Sequence, residues 1–238
     1  IIGTKNQGQH ISMFFIDPQF HRKGIGKALF ETAYKNSSVN QITVNSSSYA
    51  VKFYESLGFF KTSEKQETNG LLYTPMALTH HIYSYRNVSE SDLGIISNFP
   101  QNAEELFFMF PKAEYPFTLS QLKTAIGNRF DSTVALRDEE VVGFANFYEI
   151  KENQYCSIGN VIVNPKFRNQ GIGKFLIKTM ENIGIEKYNI SEMHLSCFNT
   201  NTNGILLYAK LGYKPYAIEK WIDKENKPIA LMELKREV

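Results

Sequence analysis

The 238-residue chain has only two cysteines, Cys156 and Cys197, and a single tryptophan. Two cysteines cannot make the disulfide framework of a small secreted domain, and neither stands in a Cys-x-x-Cys pair of the kind metal and redox sites use. A reducing, cytoplasmic setting is the expectation. Charge of one sign is lacking too. The 26 basic against 24 acidic residues leave +2, too little to mark a nucleic-acid or membrane-surface protein, so any anion site must be local. No apolar run approaches the ~18 residues of a membrane span, and no signal pattern opens the chain. The histidines His10, His21, His80, His81 and His194 show no ligand spacing beyond one adjacent pair, whose side chains diverge in a strand, so no metal is implied. The opening Ile1-Ile2-Gly3, without an initiating Met, is what a fragment of a longer protein would show.

With 42% hydrophobic and 13% aromatic residues, the chain has the material for a packed core. Its length fits one large domain or two small ones. A repeat favours two. Residues 16 to 29 (IDPQFHRKGIGKAL) align without gaps to 163 to 176 (VNPKFRNQGIGKFL), with seven identities in 14. YESLGF from Tyr54 aligns with YAKLGY from Tyr208, seven residues further out of step. The expected units are 1–80 and 82–238, divided in the polar stretch Thr79 to His81.

The second unit reads as a complete α/β domain: a strand at Ile82 to Arg86, helices at Ala103 to Phe110 and Leu119 to Arg129, and two strands between Thr133 and Ile150. A strand at Tyr155 to Val163, a helix at Gly171 to Ile183, a strand at Met193 to Phe198 and a helix at Gly204 to Leu211 follow. Strands at Tyr216 to Ile222 and Ile229 to Leu234 close the sheet. The first unit has only the later part of this order, with Gly3 matched to Gly143. Half a sheet should expose an unpaired edge and an uncovered apolar face.

In both copies a strand runs into Asp/Asn-Pro, a basic stretch, and Gly-Ile-Gly opening an amphipathic helix. Glycines let the backbone approach a phosphate, and the free N–H groups and dipole of the helix start attract it. Arg168 and Lys174, with Arg22, Lys23 and Lys27 in the first copy, supply local charge, so the expected ligand carries a pyrophosphate. A Walker loop is excluded because Phe175 and Ala28 stand where Ser or Thr must bind Mg²⁺, and a dinucleotide fingerprint because Leu176 and Leu29 stand where a third glycine belongs.

At this point the sequence resembles the GCN5-related N-acetyltransferase (GNAT) family. Arg168-Asn169-Gln170-Gly171-Ile172-Gly173 matches that family's pyrophosphate loop, and Asn201-x-x-Gly204-x-x-x-Tyr208-x-x-Leu211-Gly212-Tyr213 resembles its second cofactor motif. The first copy reads His21-Arg22-Lys23-Gly24-Ile25-Gly26, departing from the family at His21, and has Ser47 in place of Asn201. The resemblance implies a mixed, mostly antiparallel sheet flanked by helices, acetyl-CoA as cofactor and an amine acceptor, small molecule or peptide. It also implies cofactor contacts from Ile162, Val163, residues 168–174, Asn201 and Tyr208, and in the first copy from Phe15, Ile16 and residues 22–27.

In that family the amine attacks the thioester directly. The carbonyl oxygen then needs a donor, which the resemblance places on the main chain where the strand splays at Ile162-Val163. Tyr208 is the candidate general acid toward sulfur: a phenol near ~10 facing a thiol near ~8.5 is uphill by about 1.5 pKa units, roughly 2 kcal/mol. Tyr54 holds the matching place in the first copy. Glu149, near the end of a strand bordering the acceptor cleft, is the candidate base, and also fits a solvated carboxylate. Cys197 reads as strand packing before it reads as a nucleophile. Phe107-Phe108-Met109-Phe110-Pro111 fits either an acceptor-pocket wall or helical core. The rival to an acetyltransferase is a non-catalytic acyl-CoA-binding module, with the first unit serving dimerisation; a homodimer is left open.

Overall fold

The structure, a computed structural model, describes residues 1–34, 39, 41–79 and 83–238. The chain forms two compact units, 1–82 and 83–238. The expected boundary at residues 80–82, including His80, His81 and the start of a strand at Ile82, lies outside the described residues.

The first unit contains β1 (Ile2–Lys5), β2 (His10–Phe14), α1 (Ile25–Tyr34), β3 (Gln41–Ser46), α2 (Val51–Ser56), β4 (Phe60–Lys61), β5 (Gln66–Thr68) and β6 (Leu71–Thr79). Its sheet runs β1-β2-β3-β6-β4, with β5 also on β6. β2 and β3 pair in parallel; their neighbours are antiparallel. Phe30, Ile42, Tyr54, Phe59 and Met76 fill the space between the helices and one sheet face.

The second unit contains β7 (Ser84–Asn87), α3 (Leu93–Ile96), α4 (Ala103–Met109), α5 (Leu119–Ile126), β8 (Phe130–Arg137), β9 (Glu140–Lys151), β10 (Tyr155–Val163), α6 (Ile172–Tyr188), β11 (Glu192–Phe198), α7 (Thr202–Lys210), β12 (Lys214–Ile222) and β13 (Pro228–Glu237). Its seven strands run β12-β13-β11-β10-β9-β8-β7, and β10–β11 is the parallel pair. Asp138 and Glu139, both at positive φ, make the tight β8–β9 turn. Two cores lie on opposite faces. Leu176, Ile177 and Met180 of α6 meet Phe147, Ile158 and Leu195; Ile96, Leu106 and Leu122 of α3–α5 meet Val134, Phe144 and Ile162. β9 is sandwiched between them, and its residues 141–147 are all buried, as a strand covered on both faces requires.

Two expectations change. The α6 helix continues past Gly184 to Tyr188, because Ile190 and Met193 pack where a Cβ at Gly184 would sit, and it stops only at Asn189 in the left-handed region. Gly3 is not the counterpart of Gly143: Ile1 exchanges both backbone hydrogen bonds with Phe15, while Phe144 is the residue paired with Ile162. Ile1 therefore corresponds to Phe144, and the described residues of the first unit hold no equivalent of β7, β8 and α3–α5. The apolar face those elements cover in the second unit is open in the first. Met13 and Phe15 are 46% and 67% exposed, while their counterparts Asn160 and Ile162 are 8% and 7%.

Candidate active site

Each copy of the Gly-x-Gly segment folds the same way. Asp17 and Asn164 cap a short 3₁₀ turn, accepting from the N–H groups of Gln19 (3.0 Å) and Lys166 (3.1 Å), with Pro18 and Pro165 at the first position. The chain then passes through the left-handed region twice, at Arg22 and Gly24 (φ 58° and 78°) and at Asn169 and Gly171 (φ 61° and 91°). Among the described residues, none of the backbone N–H groups from Asn169 to Lys174 meets an acceptor, and the same holds from Arg22 to Lys27. Unpaired donors curled around a helix start form an anion cradle. Gly173 lets α7 close in: a Cβ there would stand 3.0 Å from Leu207. At Gly26 it would stand 2.8 Å from Ile16 and 2.9 Å from Phe53, the first-unit counterparts of Val163 and Leu207.

The side chains of the second loop brace it. Arg168 makes a bidentate pair with Glu105 of α4 (2.6 and 2.8 Å), and its Nε reaches the Val163 carbonyl at 3.4 Å. That guanidinium holds the Glu105 carboxyl below the usual carboxylate range, helped by the Gln101 N–H. Gln170 accepts from Tyr83 on its carbonyl and from Arg137 on Oε1, each at 2.7 Å. In the first unit His21 Nε2 lies 2.9 Å from the Ile16 carbonyl, the position equivalent to Val163. His21 thus preserves the loop brace that Arg168 makes.

Parallel pairing of β10 with β11 ends at Ile158↔Leu195. Beyond it the two strands part, leaving Gly159–Val163 and Ser196–Phe198 as the walls of a wedge, with the loop and α6 at its head. Asn201 caps α7 by accepting from the Gly204 N–H at 2.9 Å. Tyr208, from α7, is buried, and its hydroxyl has no hydrogen-bond partner among the described residues. Burial, with Cys197 nearby, raises its pKa well above the ordinary phenol value. Burial also pushes the Cys197 thiol up to about 11, so it stays protonated at neutral pH and is a poor nucleophile.

One sheet face beside the wedge carries a polar and aromatic cluster. Glu149 accepts from Tyr155 (3.1 Å) and Ser157 (3.4 Å) and pairs with Lys151 at 3.9 Å. Tyr155 stacks on His194 at 4.1 Å, and Tyr148 reaches Ser196 at 3.1 Å. Phe107 of α4 stacks on Phe198 at 4.5 Å, which meets Trp221 edge-on at 5.5 Å. The aromatic run is thus both packed helix and wall of this face. Asn146 is fully buried with neither amide atom partnered, an arrangement that calls for a polar guest or water. Sequence reasoning missed Tyr148, Ser196, Tyr216 and Glu233, which share no local motif.

This geometry of split parallel strands, glycine cradle and tyrosine-bearing helix is that of an acetyltransferase fold. A family described as acetyltransferase (GNAT) domain matches residues 1–80, and one described as acetyltransferase (GNAT) family matches residues 99–213. The chain belongs to the GNAT N-acetyltransferases, carrying two such domains in tandem, the first shorter. The Escherichia coli ribosomal-protein-S18-alanine N-acetyltransferase is similar in structure (16% identity, TM-score 0.52, 66% of this chain and 94% of that one). So is the Vibrio cholerae spermidine N-acetyltransferase solved with CoA and spermine (16%, 0.55, 65% and 95%). A Brucella melitensis ribosomal-protein-alanine N-acetyltransferase gives 19% and 0.54 over 65% and 99%. At these identities the likeness is one of fold. Among the described residues no helix is long and apolar enough to cross a membrane, and no His, Cys, Asp or Glu cluster is placed to hold a metal.

Proposed function

We propose that the second unit binds acetyl-CoA and transfers its acetyl group to an amine by direct attack. The observation that carries this reading is the run of unpartnered N–H groups from Asn169 to Lys174 at the head of the β10–β11 wedge. These donors suit a pyrophosphate, Lys174 adds charge, and the edge of β10 at Ile162 and Val163 suits an extended amide-bearing arm. When bound, acetyl-CoA supplies the thioester carbonyl that the amine attacks, with the C–N bond forming and the C–S bond breaking. A β10 N–H at Ile162-Val163 serves the carbonyl oxygen, and Tyr208 donates its proton toward sulfur. Its raised pKa makes it a weak acid that stays protonated, which suits a hydrogen-bond donor to a departing thiolate. Direct attack is favoured over a thiol relay because Cys197 is buried and held protonated.

Glu149 remains a candidate base, and Asn201 acts on the cofactor side by fixing the start of α7. The first unit repeats the cradle at residues 22–27, with Phe15 and Ile16 on the strand before it, and is proposed as a second cofactor loop. Calorimetry with acetyl-CoA tests both readings. The wild-type chain should bind, and Gly171→Val with Gly173→Val should remove the site in the second unit; no binding by the wild type would overturn the acetyl-transfer mechanism.

A further inference from the structure

The sheet face beside the wedge holds three carboxylates, Glu149, Glu192 and Glu233, and they differ in one respect. Glu149 pairs with Lys151 at 3.9 Å, and Glu192 is bound by Lys235 at 2.8 Å and by His194 at 2.9 Å. Glu233 has no ion pair among the described residues, although it is only half-buried and Lys235 is two residues away on β13. Its place is set by register. Glu233 stands opposite Ser196 on β11 and opposite Ala217 on β12. Ser196 is the first β11 residue past the end of parallel pairing, and directly opposed side chains on neighbouring strands lie about 5 Å apart at Cβ. The unpaired carboxylate therefore sits at the mouth of the wedge.

Resting on the acetyltransferase reading, we propose that Glu233 is the carboxylate that receives the acceptor ammonium and takes its proton. The transfer is R–NH₃⁺ plus carboxylate giving R–NH₂ plus carboxylic acid, which frees the nitrogen lone pair for attack. The second proton, lost from nitrogen as the amide forms, balances the one delivered to sulfur. Three features fit Glu233 to this work. Tyr216, at the bulge of β12 between Pro215 and Ala217, lies beside Glu233, and burial together with that carboxylate raises the phenol's pKa and keeps it protonated. Tyr148 spans from β9 to Ser196 and presents an aromatic surface beside the carboxylate, with Phe198 and Trp221 further along, a lining suited to an alkylammonium. A route out for the proton runs from Tyr216 Oη, 3.4 Å from His194 Nδ1, through His194 Nε2 to Glu192.

The charged and titratable groups around Glu233 are Tyr216 from β12, His194 and Glu192 from β11, Lys235 from β13, Tyr148 and Glu149 from β9, and Arg129 against the Tyr148 ring. Of the cations on this face, Lys235 is held by Glu192 and Lys151 by Glu149, while Arg129 bonds the Asn160 amide and lies over the Tyr148 ring. The acceptor's own ammonium is the missing counter-charge.

The test compares Glu233→Gln, Glu149→Gln and the wild type on the full chain, with spermidine and an alanine-ended peptide as acceptors. At pH 7 Glu233→Gln should lower kcat/KM for spermidine by about 10²–10⁴-fold, and the loss should shrink toward a few-fold as pH rises to the ~10 of an alkylamine. With the peptide, whose α-amine titrates near ~8, recovery should come about two pH units earlier. Calorimetry without acetyl-CoA should show spermidine binding about tenfold weaker, with acetyl-CoA binding unchanged. A loss equal at every pH, no loss, or the whole pattern appearing in Glu149→Gln would overturn the assignment to Glu233 while leaving the acetyltransferase reading standing. A wild type that neither binds acetyl-CoA nor acetylates either amine would remove that reading and this one together.

Discussion

The ring of Tyr148 lies over Gly159, where a β-carbon would stand 2.9 Å from Cδ1 of the ring and 3.5 Å from Oδ1 of Asn146. No other residue at position 159 leaves Tyr148 its path across β10 to Ser196. Gly159→Ala should displace the ring, cost about 1–3 kcal/mol of stability through overpacking, and lower amine turnover at least tenfold. Acetyl-CoA affinity should hold within a few-fold, since the cradle is untouched. Tyr148→Phe, which keeps the ring and removes only the bond to Ser196, should be the milder variant; the reverse order in steady-state assays would show that the hydroxyl matters more than the ring.

Tyr208→Phe should reduce kcat by about 10²–10⁴-fold if the phenol serves the leaving thiolate. Thermal stability should stay within about 1 kcal/mol of wild type, because the hydroxyl has no hydrogen-bond partner among the described residues to lose. A large drop in Tm with kcat preserved would make Tyr208 a packing residue.

Arg168→Gln and Glu105→Gln should weaken acetyl-CoA binding by similar, modest factors, because the guanidinium is already committed to Glu105 and acts by bracing the loop. Titration calorimetry of both variants decides it. A loss confined to Arg168→Gln would mean that the arginine touches the phosphates directly.

Asp92 is one acid-sensitive element of the second unit. Two bonds from Arg86, with the N–H and hydroxyl of Ser89, hold its carboxyl down at about 2 against the opposing effect of burial. A carboxyl depressed on folding stabilises fully above its unfolded value near ~4, and the contribution is lost as pH falls through about 2. At most about 2 kcal/mol is involved, since Arg86 is partly exposed. Denaturation of wild type and Asp92→Asn should show a gap at pH 5 that narrows from about pH 4 and closes only near and below about pH 2; a gap undiminished there would assign the stability elsewhere.

Acetyl-CoA stoichiometry distinguishes the two cradles. Gly24→Val with Gly26→Val should abolish binding in the first unit alone, since Gly24 sits at φ 78° and Gly26 packs against Ile16 and Phe53. Two sites in the wild type, each removed by its own pair of substitutions, is the expected result. One site, insensitive to the Gly24 and Gly26 changes, would leave the first cradle structural.

Much of the fold was legible because its signals are local. Asp/Asn-Pro, the glycines and Asn201 each act within a few residues, so the strand-loop-helix units and their repetition can be read along the chain. His21 departs from the family pattern in sequence, yet in three dimensions its imidazole braces the same carbonyl position as Arg168. Arg168 itself was legible as part of the loop but not as the partner of Glu105, 63 residues earlier. Helix ends were less legible, since Gly184 looks like a stop until Ile190 and Met193 are seen packed against it.

The sequence by itself determined that this protein is built from two related units and where each has an anion cradle. Backbone preferences of Pro, Gly and Asn and short-range hydrogen bonds suffice for that. Only the tertiary structure decided which carboxylate lacks a cation, which tyrosine crosses the wedge, and that Ile1 is the counterpart of Phe144, so that Gly3 does not match Gly143. Those facts depend on the register of strands far apart in the chain: β13 lies beside β11 with Glu233 opposite Ser196, and backbone pairing over that distance is set by the packing of the whole sheet.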